Sequence, residues 1–228
     1  MFLLIGDSHS NHMNLCKPFK HLLCSAGSAK GLNNPNSISQ YRNIILDEVS
    51  KNNYSGFIFN FGSVDVEFSF IHKYLDNPFL SYHDFNREIV ENYMKFIVDF
   101  FSDKLVLINS IGLPTLDDEH FKSGILNAHI NYLENYDVSL LKEKIEKEKN
   151  LPNIHLRSIM VINFNEQLKN KIRETNILNI IFMDTTTFTY ETSKLRIRDE
   201  FFTKIDHHNY DRNKYIIEII NHHLNSVQ

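Results

Sequence analysis

The sequence has little of three residues whose abundance marks particular classes of protein. It contains two cysteines, seven glycines and five prolines in 228 residues. Cys16 and Cys24 cannot form a multi-disulfide framework, and neither lies in a CxxC or zinc-ligand spacing, so both are expected to be small buried hydrophobic residues. With 42% hydrophobic residues and 18 phenylalanines, the few glycines and prolines exclude a disordered or fibrous chain.

The sequence also lacks an excess of positive charge and any long apolar run. Lys and Arg total 24 against 28 for Asp and Glu, a net charge of −4 without a basic stripe, which argues against a nucleic-acid partner. No apolar stretch approaches the roughly 20 residues needed to cross a bilayer. The opening MFLLIG is too short for a signal peptide and lacks its basic segment. The expected location is therefore the cytoplasm.

What the sequence does contain is an alternation of short apolar runs and amphipathic stretches. Runs at 2–5, 20–25, 54–61, 104–108 and 177–183 are predicted strands, and the stretches at 82–102 and 154–175 have helical periodicity. In the second helix, Ile159, Ile162, Leu168 and Ile172 are predicted to face the core. Strands separated mostly by helices predict a parallel sheet covered on both faces. The whole chain, 1–228, is expected to form one α/β domain, with a helical insertion at about 115–153 that could cover the sheet edge.

The first predicted strand leads into Gly6, Asp7 and Ser8. Four consecutive apolar residues, 2–5, are typical of a strand buried on both faces of a parallel sheet. The turn after such a strand lies at the carboxyl end of the sheet, where open α/β folds bind their ligands. A helix that starts there aims its N–H groups at whatever Ser8 contacts, and these could stabilise charge on an acyl oxygen. Ser8 is therefore a candidate nucleophile.

Gly-Asp-Ser closing the first strand, with a histidine just before the last helix, resembles the SGNH (GDSL-type) hydrolases, esterases and acyltransferases with a serine nucleophile. The resemblance implies a flavodoxin-like three-layer α/β/α sandwich with a central five-stranded parallel sheet. It also implies that the backbone N–H of Gly27 or Gly31, in the loop after the second strand, joins the oxyanion hole. A plain connecting role for either glycine is the alternative. Asp7 is a candidate substrate-binding group beside Ser8.

The third predicted strand is followed by Gly62, Ser63, Val64 and Asp65, where the family has Gly-x-Asn-Asp. Gly62 and Asp65 match this block and are candidate site residues. Val64 replaces the asparagine whose side-chain N–H binds the oxyanion, and losing one such donor typically costs about a hundredfold or more in turnover. Asn60 and Ser63 are the nearest candidates to replace that donor.

The candidate base lies near the C-terminus, in Asp206, His207 and His208. The family has Asp-x-x-His at this point, but here Asp206 is one residue from His207 and two from His208. A serine hydroxyl is a poor nucleophile until a base takes its proton. His208 is the favoured base because Asn209 after it suits a helix start; His207 is the alternative, and Asp206 is the candidate orienting residue. A pair of solvated histidines before a helix is the alternative, which the match to Ser8 at the other end of the chain disfavours.

Two other polar groups also have alternative interpretations. Asp117, Asp118, Glu119 and His120 are close enough in sequence for a metal site, but a capped first helical turn explains them more simply. His72 lies among aromatic residues, where a structural histidine is commoner than a functional one. No metal and no organic cofactor is expected.

Together these features predict a serine-dependent ester hydrolase or O-acyltransferase. Similar proteins with a Gly-x-x-Asp third block and no signal peptide look like those that accompany bacterial surface-polysaccharide assembly, so the resemblance implies an acetylated saccharide as substrate. One alternative is a catalytically weak or inactive domain of the same type that binds a saccharide or a protein partner. Val64 and the altered histidine spacing motivate it. The other is a flavodoxin-like structural module in which Gly-Asp-Ser is coincidental.

Overall fold

The computed structural model describes residues 1–15, 19–125, 138–148, 150–201 and 214–226. Its centre is a five-stranded parallel sheet with the strand order β2-β1-β3-β4-β5. The strands are β1 (Phe2–Gly6), β2 (Phe19–Leu23), β3 (Gly56–Asn60), β4 (Val106–Asn109) and β5 (Ile180–Met183). This order is that of the flavodoxin-like folds, so the predicted five-stranded parallel sheet is confirmed.

Helices flank the sheet and complete a three-layer α/β/α arrangement. They are α1 (Tyr41–Lys51), α2 (Phe70–Asp76), α3 (Tyr82–Phe101), α4 (Asp118–Gly124), α5 (Val138–Lys147), α6 (Ile154–Thr175) and α7 (Lys214–Ser226). Two helical segments depart from α-helix geometry. One is a 3₁₀ helix at Ser8–Leu15, directly after β1, and the other is a π-helix at Val64–Ser69, which runs directly into α2.

The carboxyl ends of β1, β2 and β3 meet at one edge of the sheet. Gly6 at the end of β1 pairs with Leu23 on one side and with Asn60 on the other. All residues of β1, β3 and β4 are buried, as expected of strands covered on both faces. The register therefore brings the turn after β1 next to the turn after β3.

Phenylalanine side chains fill the space between the sheet and α3. Phe57 and Phe59 of β3 make edge-to-face contacts with Phe101 at centroid distances of 5.1 and 5.0 Å, and Phe59 also meets Phe96 at 6.3 Å. Fully burying a phenylalanine side chain stabilises a fold by about 1.5–3 kcal/mol, and edge-to-face pairing adds about 1 kcal/mol. This packing fixes β3, and with it the position of Asn60.

The predicted bounds of α6 agree with the structure, but its predicted core face was partly wrong. Ile159 is 36% exposed and Ile162 is half-buried, whereas Leu168 and Ile172 are buried as expected. The buried face includes three polar residues, Arg157, Ser158 and Asn165. A search for apolar periodicity cannot find a helix face on which polar side chains are buried against partners from other elements.

The connection after β5 contains more structure than its polar sequence indicated. Residues 184–200 are mostly polar, yet they form a 3₁₀ turn at Thr187–Thr189 and a hairpin of β6 (Tyr190–Glu191) and β7 (Arg196–Ile197). Thr189 and Ile197 are buried, so tertiary contacts stabilise strands too short to be recognised from sequence.

Candidate active site

The turn after β1 is held tightly against β3. Asp7 N–H donates to the carbonyl oxygen of Asn60 at 3.2 Å. A Cβ on Gly6 would lie 2.6 Å from Ser10 Cβ and 2.8 Å from the Asn60 carbonyl oxygen, so only glycine fits there. Ser8 starts the 3₁₀ segment directly after this turn. The sequence signal, an apolar strand ending in Gly-Asp-Ser, therefore corresponds to a turn at the carboxyl edge of the sheet.

Two serines lie in this turn, and their hydrogen bonds separate their roles. Ser10 is fully buried; its hydroxyl donates to the Asp7 carbonyl oxygen at 2.6 Å and lies 2.8 Å from His21 Nε2. Because the Ser10 hydroxyl proton is donated to the Asp7 carbonyl oxygen, His21 Nε2 must be the donor to Ser10 Oγ. These two hydrogen bonds hold the turn in place. Ser8 is half-buried, and within the described residues neither its hydroxyl nor its N–H makes a hydrogen bond. Ser8 is the serine with a hydroxyl available for chemistry.

Asp7 and His9 flank Ser8. Asp7 is fully buried, and its Oδ1 accepts the His9 N–H at 2.9 Å and lies 3.2 Å from His9 Nδ1. Its other oxygen, Oδ2, is buried and accepts no hydrogen bond in the part of the chain that is described. Sequence analysis did not single out His9, although a histidine two residues after an aspartate and next to a candidate nucleophile is a usable signal.

Asp65 holds the loop after β2 rather than facing solvent. It is buried, and its Oδ2 accepts the Ala29 N–H at 2.6 Å, with the Lys30 N–H at 3.5 Å from Oδ1. Burial raises the pKa of the Asp65 carboxyl to about 7; the backbone donors oppose this shift and the nearby Asp7 charge adds to it. Asp65 thus couples the π-helix after β3 to the loop predicted to contribute to the oxyanion hole.

Both glycines of that loop use their N–H groups internally. Gly27 N–H donates to the Cys24 carbonyl oxygen at 2.8 Å, and Gly31 N–H donates to Ser28 Oγ at 2.9 Å. An oxyanion role for either glycine stays a prediction, and it requires that the N–H exchange this bond for one to the substrate. The Ser28 hydroxyl is the easier partner to displace, because a side chain can rotate away and a backbone carbonyl cannot.

Gly62 and Ser63 lie directly before the π-helix that follows β3. Gly62 has φ +123°, and a Cβ there would lie 2.6 Å from Phe164 Cζ, so its conformation and its packing both require glycine. Its carbonyl oxygen accepts the Val66 N–H at 2.9 Å. Ser63 and Val64 are buried. The geometry therefore gives Gly62 a conformational role, while a direct role for Ser63 stays a prediction.

Asn60 presents an oriented amide at the same edge. Its Oδ1 accepts Asn109 Nδ2 at 2.6 Å, and Asn109 Oδ1 in turn accepts the Thr185 hydroxyl at 3.0 Å. Asn109 Nδ2 thus faces Asn60 and Asn109 Oδ1 faces Thr185, and the Asn60 nitrogen faces away from Asn109. Asn60 Nδ2 donates no hydrogen bond within the described residues. An amide donor is thus available on the strand next to β1 and Ser8. The sequence analysis named Asn60 as a candidate to replace the asparagine donor whose position Val64 occupies.

A set of paired polar groups supports this orientation from β4 and β5. Ser110 Oγ accepts the Thr185 N–H at 2.9 Å and lies 2.8 Å from the Thr186 hydroxyl oxygen. Asn165 Oδ1 accepts the Ile111 N–H at 2.9 Å, and its Nδ2 donates to the Ile111 carbonyl oxygen at 3.0 Å. Sequence analysis missed Asn109 and Asn165; the only signal was a polar residue at a strand end and one on an amphipathic helix.

The predicted base and its orienting residue, His208 or His207 and Asp206, lie outside the described residues. His72 is buried, and burial lowers the pKa of its ring to about 4, so it is neutral at neutral pH, in keeping with a structural residue.

The acidic segment before α4 forms a helix cap, as favoured from sequence. Asp117 is the N-cap, and its Oδ1 accepts the His120 N–H at 2.8 Å. In the part of the chain that is described, no three His, Cys, Asp or Glu side chains are grouped as metal ligands would be. Within the same residues, no helix combines the length and the apolar character that crossing a membrane requires.

Comparisons with known proteins identify the fold. The chain is similar in structure to a Bacteroides fragilis protein assigned as an acylhydrolase, with a TM-score of 0.53, 10% identity, and coverage of 99% of this chain and 86% of that one. A Streptococcus pneumoniae protein assigned as a platelet activating factor has a TM-score of 0.51 and 11% identity over 98% and 83% of the two chains. A GDSL-like lipase from Bacteroides thetaiotaomicron has a TM-score of 0.51 and 8% identity over 100% and 88%.

No protein-family model and no curated protein matches the sequence. The structural likenesses nevertheless extend over nearly the whole chain, and they confirm that it has the predicted three-layer α/β/α fold, which it shares with an acylhydrolase and a GDSL-like lipase.

Proposed function

We propose that this chain is a serine esterase or O-acyltransferase of the SGNH type that acts on an acylated saccharide. The observation that carries the proposal is Ser8. Its hydroxyl and its N–H make no hydrogen bond with any described residue, and it lies at the carboxyl edge of the sheet in a fold shared with an acylhydrolase and a GDSL-like lipase. Parallel α/β sheets bind their ligands at this edge.

In the proposed reaction, Ser8 Oγ attacks the acyl carbonyl carbon while His208, or else His207, takes the hydroxyl proton. Asp206 orients that histidine. The carbonyl oxygen becomes an oxyanion, for which the Ser8 N–H and the Asn60 amide are the donors we favour, with Gly27 or Gly31 joining if its internal bond opens. The tetrahedral intermediate collapses to an acyl-serine, and the alcohol leaves with the proton from the histidine.

The second half-reaction decides between hydrolysis and transfer. Water attacks the acyl-serine in a hydrolase, and a sugar hydroxyl attacks it in an acyltransferase. The histidine again takes the proton of the attacking group and returns it to Ser8 as the serine leaves. Every step uses side chains and backbone donors of this chain, so the proposed mechanism needs no metal and no organic cofactor. An acetylated saccharide linked to bacterial surface polysaccharide is the proposed substrate, on the strength of the sequence resemblance.

The test is covalent trapping by a fluorophosphonate probe, read by intact mass. The wild type is expected to gain one probe adduct, and Ser8→Ala is expected to gain none, because only an activated serine reacts quickly. Of His207→Ala and His208→Ala, the one that removes the base is expected to slow labelling at least about a hundredfold. The matched controls are Ser50→Ala and His222→Ala, both at exposed positions, which are expected to label like the wild type.

Ser8→Ala is also expected to keep the wild-type free energy of unfolding within about 0.5 kcal/mol, since its hydroxyl has no partner to lose among the described residues. Labelling of Ser8→Ala at the wild-type rate would refute Ser8 as nucleophile. A folded wild type that gains no adduct would refute an activated serine altogether.

A second candidate function is a domain that binds a saccharide without turning it over. Two observations favour it: Val64 stands where the family has a donor, and the Gly27 and Gly31 N–H groups are already used within their loop. This function predicts no probe adduct on the folded wild type, together with measurable saccharide binding by calorimetry that Ser8→Ala retains.

A further inference from the structure

The edge strand β5 has none of the features that keep a sheet edge from pairing with a further strand. It lies at one end of the strand order, and among the described residues it pairs only with β4, in an unbroken register. Proteins usually protect such edges with charged residues, prolines or bulges. The sequence of β5 contains neither charge nor proline, and its four residues are Ile180, Ile181, Phe182 and Met183. This edge is therefore suited to pair with another strand.

The opposite edge strand, β2, does have a protective feature. Lys20 lies within β2, is exposed, and binds Glu48 Oε1 through its Nζ at 2.7 Å. A lysine on an edge strand opposes pairing, because a second strand would have to cover its charge. The two edges of the sheet thus differ, since β2 contains a charged residue and β5 does not.

Successive residues of β5 point their backbone groups alternately towards β4 and away from it. Val106 N–H donates to the Asn179 carbonyl oxygen at 2.8 Å, and Ser110 N–H donates to the Met183 carbonyl oxygen at 2.9 Å. Residues 179 and 183 therefore face β4, and Phe182 directs its N–H and its carbonyl oxygen to the outer side. Neither group of Phe182 bonds to the backbone of any other element in the described part of the chain.

A groove of about 570 Å³ lies beside this edge, between β5 and α6. Much of its lining is apolar: Ile181 and Phe182 are half-buried, and Leu178, just before the strand, is 95% exposed. Burying such side chains against another surface is favourable, by roughly 25 cal/mol for each Å² of apolar area removed from water. The edge therefore offers a second strand both backbone hydrogen bonds and apolar contact.

The charged residues of the groove identify an occupant that fits it. The chain returns through α6 to the amino edge of the sheet, so α6 runs antiparallel to β5. Arg173, in the last turn of α6, therefore lies towards the amino end of the groove, and Asp184 directly follows the carboxyl end of β5. Lys169 lies between them, with its Nζ 6.0 Å from the centre of the Phe182 ring. A second copy turned end to end would bring each Asp184 towards the other copy's Arg173.

We propose that two copies of this chain associate through β5, paired antiparallel with Phe182 opposite Phe182, so that their sheets join into one continuous sheet. The Phe182 N–H of each copy donates to the Phe182 carbonyl oxygen of the other, and the Asp184 N–H donates to the Ile180 carbonyl oxygen. The carboxyl edges of the two sheets then face opposite directions, so the pairing leaves both Ser8 turns accessible. This association does not depend on the proposed function.

The test is the mass of the protein in solution, followed by sedimentation equilibrium over chain concentrations from about 1 to 200 µM. We expect the wild type to change from 26.9 kDa, the mass of one chain, to twice that mass. Phe182→Pro removes the outward N–H without touching the hydrogen bonds to β4, because proline is tolerated on an edge strand. It is expected to raise the dimer Kd at least about thirtyfold, since two symmetry-related hydrogen bonds are lost. Phe182→Leu keeps the N–H and is the matched control, expected within about threefold of the wild type.

A second variant serves if Phe182→Pro does not fold. Leu178→Glu changes a side chain that is 95% exposed, so the interior of the fold stays the same. It is expected to raise the dimer Kd about tenfold, because it replaces an apolar contact by a charge near the other copy's Asp184. Phe79→Glu, at a position that is 96% exposed in the loop before α3, is the matched control and is expected to leave the Kd unchanged.

A wild type that stays at 26.9 kDa over the whole concentration range would overturn the proposal, whatever other strand the edge accepts. A dimer that Leu178→Glu and a folded Phe182→Pro leave unchanged would use another surface and would equally overturn it. Amide hydrogen exchange locates the contact directly. The Phe182 and Asp184 N–H groups are expected to exchange more slowly at high than at low protein concentration, and equal rates in a dimeric sample would refute pairing through β5.

Discussion

The carboxyl edge of the sheet has two halves that treat polar groups in opposite ways. Along β4 and β5, the buried side chains of Asn109, Ser110 and Thr185 are hydrogen-bonded to one another or to Asn60. Around β1 and β3, the Ser8 hydroxyl and Asp7 Oδ2 make no hydrogen bond with any described residue. The two halves lie on adjacent strands of one sheet.

The difference in hydrogen bonding indicates a different role for each half of the edge. Satisfied buried networks fix side chains in one orientation, and leaving them unsatisfied is expensive in a medium of low dielectric constant. The paired half therefore acts as a scaffold, and the hydrogen bond from Asn109 Nδ2 to Asn60 Oδ1 sets the direction of the Asn60 amide. The unpaired half retains hydrogen-bonding capacity that the described part of the chain does not use, which is the expected property of a place where a ligand binds.

The largest expected effect comes from breaking the paired half. Asn165→Leu removes the acceptor of the Ile111 N–H and the donor to the Ile111 carbonyl oxygen, while keeping a side chain of similar size. We expect the free energy of unfolding to fall by about 3 kcal/mol, because a buried N–H is left without a partner. Urea denaturation measures this change. Asn170→Leu, at an exposed position on the same helix, is expected to change it by less than about 0.5 kcal/mol.

A loss as small in Asn165→Leu as in Asn170→Leu would mean that the network contributes no rigidity, and the contrast between the two halves would fail.

The next effect tests the link between the halves. Asn109→Asp keeps an acceptor for Thr185 but places an oxygen where a nitrogen donated to Asn60. The Asn60 amide should then turn its Nδ2 towards the new carboxylate, which removes the free amide donor from the proposed oxyanion hole. We expect fluorophosphonate labelling to slow about a hundredfold, the typical cost of one oxyanion donor. Asn170→Asp is the control. An unchanged labelling rate in a folded Asn109→Asp protein would exclude Asn60 as that donor.

An effect that is smaller per pH unit concerns the pH dependence of stability. The pKa of Asp65 is about 7 in the folded protein, against 3.8 ordinarily. Between about pH 4 and 7 the folded state therefore holds a proton that the unfolded chain has released, so the free energy of unfolding falls as pH rises, by up to about 1.4 kcal/mol per pH unit. Above pH 7 the cost stays constant.

Asp65→Asn removes this contribution. Urea denaturation at pH 4.5, 5.5, 6.5 and 7.5 should show the wild type losing stability relative to Asp65→Asn as pH rises towards 7. Asp47→Asn, at an exposed helix position, should track the wild type across the same range. A wild type that gains stability relative to Asp65→Asn over this range would show the opposite sign and would contradict a raised pKa.

Much of the scaffold could be predicted from sequence because it depends on local pattern. Four apolar residues followed by Gly-Asp-Ser predicted β1 and its turn, and the five apolar runs predicted the five strands. The interior of α6 could not be predicted in the same way. Arg157 and Asn165 are polar, and only contacts with residues distant in the chain, Leu116 and Ile111 among them, make their burial possible.

The residues of the candidate site likewise fall into those that local sequence indicates and those that depend on contacts between distant parts of the chain. Ser8, Gly62 and Asp65 could be chosen as candidates because their spacing after strands is visible in the sequence, and their roles stay predictions. The orientation of Asn60 and the use of the Gly27 and Gly31 N–H groups are not visible in the sequence, since each depends on partners brought close by the fold. The assignment of His207 or His208 as base stays a prediction from sequence.

The sequence by itself determined the strands, the parallel sheet and the serine at its edge, because hydrophobic periodicity and turn residues act over a few neighbouring positions. Only the tertiary structure decided which polar groups at that edge are paired and which stay unsatisfied within the described residues. Hydrogen bonds are short and directional, so whether a buried group has a partner depends on packing between distant parts of the chain. Asn60 and Asn109 are 49 positions apart, and Asn109 and Thr185 are 76 apart.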